Sequence, residues 1–164
     1  MSSPDGSSVT FRRVPADLRR APIERFALKL QDEVGKGRAF DCLISGDAEL
    51  RRLNRDFRGK DYPTDVLSFP AGVRTSALGP RLSRTRLGDV AISLPRARAQ
   101  ARKFGHSITQ EIRVLMLHGV LHLLGMDHET DRGRMARVEK RWRTRLALPN
   151  GVIERVQIIE RVQS

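Results

Sequence analysis

Between Ile112 and Leu124 the chain is apolar nearly all the way round a helical wheel, and this segment dictates how the rest can fold. A helix with no polar face belongs in the middle of a domain, with other elements packed round it. Just upstream, Ser107-Ile108-Thr109-Gln110 has the form of a capping box that opens such a helix. The segment nonetheless carries two imidazoles, His118 and His122. Four residues apart on a helix, both leave the same face, one turn above the other. Gly125 follows, a residue able to take the left-handed conformation that ends a helix and turns the chain back. Such a turn carries His128 round toward the first pair.

A His-x-x-x-His pair on an apolar helix is also compatible with two packed, hydrogen-bonded histidines. The third histidine and the intervening glycine favour a metal, because three titratable rings in so hydrophobic a stretch are costly to bury uncompensated. Three imidazoles at three corners of a tetrahedron leave the fourth to water, as in a catalytic zinc site. A structural zinc usually takes a fourth protein ligand instead. The spacing matches the metzincin pattern His-Glu-x-x-His-x-x-Gly-x-x-His at every position but one: Gly119 stands where that pattern has its glutamate base. With the cage present and the base absent, peptide hydrolysis by that route is disfavoured.

A chain of 164 residues is most simply one domain with a real core. The expected organisation is a disordered N-terminus over 1–8, a single domain over 9–148 and a C-terminal extension over 149–164. The formal charge is +12, and 26 of the 31 basic residues are arginine. Arginine's planar fork suits phosphate oxygens, so a polyanionic partner is expected, against the plain alternative of a compositional bias toward arginine. Cys42, the only cysteine, lies in the apolar run from Phe40 to Ile44 and reads as a core residue. A disulfide framework is thereby excluded, which fits a cytoplasmic location. No stretch approaches a membrane span, and the polar N-terminus lacks the apolar segment of a secretion signal.

Along the chain, Val9 to Val14 reads as a strand. A helix follows from Pro22 to about Val34, with Ile23, Phe26, Leu30 and Val34 on one face. Arg38 to Ser45 is a second strand. Asp47 is an expected N-cap for a short helix turning Leu50, Leu53 and Phe57 inward and Arg51, Arg52 and Arg55 outward. Asp65 to Phe69 is a third strand, ended by Pro70, and Ala71 to Arg86 is a surface loop without periodicity. Gly88 to Ser93 is a fourth strand, followed by a basic helix from about Pro95 to Phe104. After the central helix, another runs from about Thr130 to Leu146, packing Met135, Val138 and Trp142 and presenting Arg134, Arg137, Arg141 and Arg145. The tail after Pro149 reads as a surface extension, with Val152, Val156 and Ile159 in light contact. The fold class expected is α+β: a small four-stranded, mostly parallel mixed sheet packed by about five helices, the buried central one carrying the metal motif.

Three blocks carry a resemblance to a known family: Leu53-Asn54-Arg55-Asp56-Phe57-Arg58-Gly59-Lys60-Asp61-Tyr62-Pro63-Thr64-Asp65-Val66-Leu67-Ser68-Phe69-Pro70, then Leu87-Gly88-Asp89-Val90-Ala91-Ile92-Ser93, then His118 to His128. Together they resemble the YbeY family, metal-dependent endoribonucleases of bacterial ribosomal RNA maturation. The likeness covers residues 40–145, with a 71–86 loop longer than the family usually has. It implies a zinc ion held by His118, His122 and His128, and a functional arginine at Arg58. It also implies cleavage of single-stranded RNA, notably the 3′ end of small-subunit 16S ribosomal RNA, and a role in ribosome quality control. The partners so implied are ribosomal RNA and the small ribosomal subunit, with ribosomal proteins and an assembly GTPase besides, and neither membrane nor DNA.

Read from the residues alone, a zinc ion on three neutral imidazoles brings the pKa of its water to about 7, suiting it to attack a phosphodiester. Arg58, with Lys60 beside it, is placed to clamp the phosphate and offset its growing charge, although a surface arginine at that position can equally be solvated. Asp127 is a candidate to orient a ligand ring, or merely a cap for the following helix. Asp65 and Asp89 have the same two readings at their strand starts. Ser68 either lines the substrate cleft or pairs within the sheet. His106 lies more than two helical turns from the cluster and reads as a surface or capping residue. Two other functions compete: a ribosome-associated assembly factor with a structural zinc closed by Cys42 or His106, and a metallopeptidase.

Overall fold

A computed structural model of the chain describes residues 6–71 and 86–155. The expected 71–86 loop falls, but for its two ends, outside the described residues, as do Val156 and Ile159. The elements run β1 (Ser8–Phe11), α1 (Arg20–Glu33), β2 (Ala39–Ser45), α2 (Asp47–Arg58), β3 (Val66–Pro70), β4 (Arg86–Ser93), α3 (Leu94–Phe104), α4 (Ile108–Leu123) and α5 (Arg134–Arg145), followed by a helical turn over 152–155. The strands form one sheet in the order β1-β2-β4-β3, parallel except for the antiparallel β3–β4 pair at one edge. This is the mixed α+β architecture expected.

Strand periodicity sorts the sheet into two faces. Phe40, Cys42 and Ile44 of β2 and Val90 and Ile92 of β4 enter the main core. Leu43 and Ala91 point the other way, into a small cluster with Leu50, Leu53, Leu67 and Phe69. The first face carries α1 and α4, and the second is covered by α2. From Val114 to Leu121 every residue of α4 is buried, and the helix lies against β3, β4, α1, α3 and α5. No helix among the described residues is long and apolar enough to cross a membrane.

Several local expectations are corrected. β1 stops at Phe11, since Arg13 has a left-handed φ of 56°. Ser7 is buried, its hydroxyl accepting from the Phe40 amide, so the ordered chain begins before Val9. Asp47 is the first helical residue, with Gly46 as the cap. The Asp47 carboxylate instead accepts from Ser93 Oγ at 2.6 Å and from Arg96 at 3.2 Å. Phe57 is 48% exposed, its ring edge-on to Phe69 at 5.6 Å. Helix α5 begins at Arg134 because Arg132 and Gly133 are left-handed, and Asp131 takes the Gly133 and Met135 amides on its two carboxylate oxygens. After Pro149 the chain is packed inward: Gly151, Ile153 and Arg155 are all buried.

Ser93 joins sheet and helices. Fully buried at the end of β4, its oxygen accepts from the Arg96 amide as the N-cap of α3 while its hydroxyl donates to Asp47. Ser93→Ala removes the cap and one of the two partners of the Asp47 carboxylate, which keeps Arg96, and is expected to cost about 1–2 kcal/mol in urea unfolding while leaving the histidine cluster unchanged. A loss within experimental error would show that water replaces both bonds.

Candidate metal centre

Helix α4 places His118 and His122 one turn apart, and its end is shaped to return the chain. The Gly125 amide donates to the His122 carbonyl and the Met126 amide to the Leu121 carbonyl, with Gly125 at φ 90°. The chain therefore doubles back, bringing His128 to the first pair. Ring centroids are 4.7 Å apart for His118–His122, 5.8 Å for His118–His128 and 5.7 Å for His122–His128. One ligand nitrogen from each lies within 4.8 Å of the others, so the group could hold a metal ion.

The protonation pattern suits a ligand set. His118, buried, has its Nδ1 2.7 Å from Glu139 Oε2. A carboxylate accepts, so Nδ1 donates to it and Nε2 is the ring nitrogen turned toward His122. That Nε2 lies 3.1 Å from His122 Nε2. A tetrahedral ion about 2.0–2.1 Å from each imidazole nitrogen needs an edge of about 3.3 Å, so this pair already has the required spacing. Burial, and then the neighbouring His118, hold the His122 pKa below its ordinary value of 6.5, against an opposing hydrogen bond with the Met126 backbone. A neutral ring is the form a metal binds.

The remaining side of the cluster opens into a cleft of ≈ 370 Å³ lined by Arg58, Val66, Ser68, Pro70, Asp127 and Glu129 besides the three histidines. Alternation along β3 turns Val66, Ser68 and Pro70 toward α4, and Leu67 and Phe69 away. Arg58, the last residue of α2, reaches the cleft past the β3 edge and is exposed. Gly59, at φ 69°, ends that helix, and Asn54 Nδ2 ties the following turn down by donating to the Tyr62 carbonyl.

The other candidates divide. Ser68 lines the cleft and its hydroxyl donates to the Gly119 carbonyl at 2.8 Å. Asp127 also lines it, accepting the Glu129 amide in a tight turn, while Asp131 does the capping expected of it. Asp65 is held elsewhere, by the Val66 amide and Gln100 Nε2. Asp89 alternates with Val90 onto the α2 face, away from the histidines. Lys60 is exposed and is not among the residues lining the cleft. Neither proposed closing ligand joins: Cys42 is buried in β2, where burial pushes its thiol pKa far up, and His106 pairs with Glu111 at 2.6 Å. Glu139, buried against His118, is the residue of this cluster that sequence reasoning misses. Its only sequence signal is an acid on the inward face of α5, in line with Met135 and Trp142.

Gly119 has a steric reason for being glycine. A Cβ there would lie 2.7 Å from Val90 Cγ1 and 3.2 Å from Ser68 Oγ, so the helix is pressed onto the sheet where a glutamate base would need space.

Residues 16–147 match the family model described as Endoribonuclease YbeY. The chain is 71% identical over 157 residues to the Endoribonuclease YbeY of Solibacter usitatus, covering 96% of this chain and 99% of that one. It is 40% identical over 147 residues to that of Koribacter versatilis, covering 90% of each. The solution structure of TM1509 from Thermotoga maritima superposes with a TM-score of 0.51 at 25% identity, covering 82% of this chain and 85% of that one.

Replacing Gly119 by alanine sets a helix-propensity gain of about 1 kcal/mol against an overpacking cost of about 1–3 kcal/mol. Gly119→Ala is expected to lower stability in urea unfolding, and to become neutral or stabilising when introduced into Val90→Ala. The same loss in both backgrounds would mean that the helix–sheet contact is not what excludes a side chain.

Proposed function

This chain belongs to the YbeY family of endoribonucleases, and on that premise we propose that it cuts single-stranded RNA with zinc, maturing the 3′ end of small-subunit ribosomal RNA and serving ribosome quality control. One observation carries the reading: a three-imidazole cluster and the guanidinium of Arg58 share one open cleft.

His118, His122 and His128 would hold the ion, with Glu139 fixing the tautomer of the first. When bound, the ion supplies Lewis acidity and a water acidified to near neutral pH. Arg58 presents a planar fork of donors to the phosphate and stabilises the charge that builds on its oxygens. Ser68, its hydroxyl already donated to the Gly119 carbonyl, offers only its oxygen to the substrate. Three protein ligands rather than four among the described residues favour chemistry over a structural zinc. The packed Gly119 disfavours a peptidase.

The basic surface supports an RNA backbone as partner. Arg51, Arg52 and Arg55 of α2 are engaged by Asp61, Glu49 and Asp56, and Arg96 by Asp47. On α5, by contrast, Arg137, Lys140, Arg141 and Arg145 surround a groove and form no ion pair among the described residues. Unneutralised cations are what a polyanion recruits, through release of its counterions.

Arg58→Ala is expected to keep its fold and bound zinc while cleaving a single-stranded RNA about 10²–10³-fold more slowly, read by gel electrophoresis alongside elemental analysis. His122→Ala should lose both metal and cleavage. Full activity in metal-free protein would overturn the metal-dependent reading, and full activity in Arg58→Ala would remove that residue's role.

A further inference from the structure

Glu139 bridges two parts of the chain. One carboxylate oxygen holds His118 Nδ1 at 2.7 Å, while the other accepts the backbone amide of Ile153 at 2.9 Å. The carboxylate is buried, so both bonds form out of water and their geometry is confined. Gly151 lies directly on it: a Cβ there would overlap the carboxylate, 2.8 Å from Cδ and 2.9 Å from Cγ. The chain over 151–155 thus packs backbone-first against the group that orients the metal helix's first histidine.

This short segment is anchored far more strongly than a terminal turn needs. Arg155, buried, makes two bonds of 2.8 Å to the fully buried Glu111 at the start of α4. Its Nε donates to the Asn150 carbonyl at 3.0 Å, and its guanidinium lies 4.6 Å from the Phe104 ring. Glu154 pairs with Arg143 of α5 through bonds of 2.6 and 3.0 Å, and Ile153 enters the main core. Removing one partner of the buried Arg155–Glu111 pair leaves an uncompensated charge, so that anchor is costly to break.

We infer that residues 151–155 form a positioning strap of the metal centre, holding Glu139 against His118 so that metal affinity depends on the docked tail. This rests on the metal reading of the three histidines. A Glu139 side chain left with only one bond is less confined, and the His118 ring then loses the partner that fixes its tautomer and its orientation. Partners that orient a metal-ligating histidine in this way are worth about 10–100-fold in affinity.

Two substitutions at one position separate the backbone bond from side-chain packing. Ile153→Ala keeps the amide and loses bulk, whereas Ile153→Pro loses the amide as well. Cobalt titration of the full chain, followed by its visible absorption, reads the metal site, and urea unfolding with circular dichroism reads the fold. We expect Ile153→Pro to bind Co²⁺ at least tenfold more weakly than Ile153→Ala, with Ile153→Ala close to the unchanged protein. Gly151→Ala, which crowds the carboxylate and leaves the amide, should weaken Co²⁺ similarly, and supplies the test if the proline variant does not fold. Equal affinities for the proline and alanine variants, both folded, would overturn the strap, as would unchanged affinity in Gly151→Ala. Failure of the unchanged protein to bind Co²⁺ would overturn the metal reading itself, and the strap with it.

Discussion

Burying an imidazole in an apolar core is tolerable only when both of its nitrogens are provided for, and the centre of this molecule is arranged round that requirement at His118. On one side stands Glu139, drawn out of water by α5 and held by two bonds. On the other, Nε2 faces His122 Nε2 across 3.1 Å, within hydrogen-bond distance and close to the edge of a tetrahedral metal site. Helix α4 can therefore be apolar along its length and still deliver reactive nitrogens to a cleft. The sheet supports it from below, and the contact is so close that Gly119 leaves no space for a side chain.

That closeness also accounts for the chain's departure from the zinc-peptidase pattern. Where the peptidase motif keeps a carboxylate beside its ion, this fold keeps β3 and β4. The cleft is bordered on its remaining sides by Arg58, by the residues of β3 that face α4, and by Asp127 and Glu129. Charge is distributed unevenly: Arg51, Arg52 and Arg55 of α2 are paired with nearby carboxylates, whereas Arg137, Lys140, Arg141 and Arg145 of α5 form no ion pair among the described residues.

Much of this is legible in the sequence, for identifiable reasons. The spacing of His118, His122, Gly125 and His128 encodes its geometry locally, through helical pitch and one left-handed residue, so the three-histidine cluster follows without knowing the fold. Strand alternation was available too, and following it through β4 separates Asp89 from Val90 and so removes Asp89 from the site. Asp65 is different: its commitment to Gln100 is a contact across 35 residues that no local pattern announces. Glu139 is hidden for the same reason, since its meaning depends on two partners distant in the chain. The burial of residues 151–155 escapes because Arg155 reads as a surface charge until Glu111 is seen beneath it. Phe57 errs in the other direction, a hydrophobe on the expected inner face that the short α2 leaves half in water.

The central claim is that three imidazoles hold one ion with a position left open toward Arg58. X-ray absorption at the zinc edge of the reconstituted full-length protein tests it most directly. The account predicts three imidazole nitrogens and at least one light oxygen donor at about 2.0–2.1 Å, with no sulfur. A shell closed by four protein ligands, a sulfur scatterer at about 2.3 Å, or fewer than three imidazoles would contradict it.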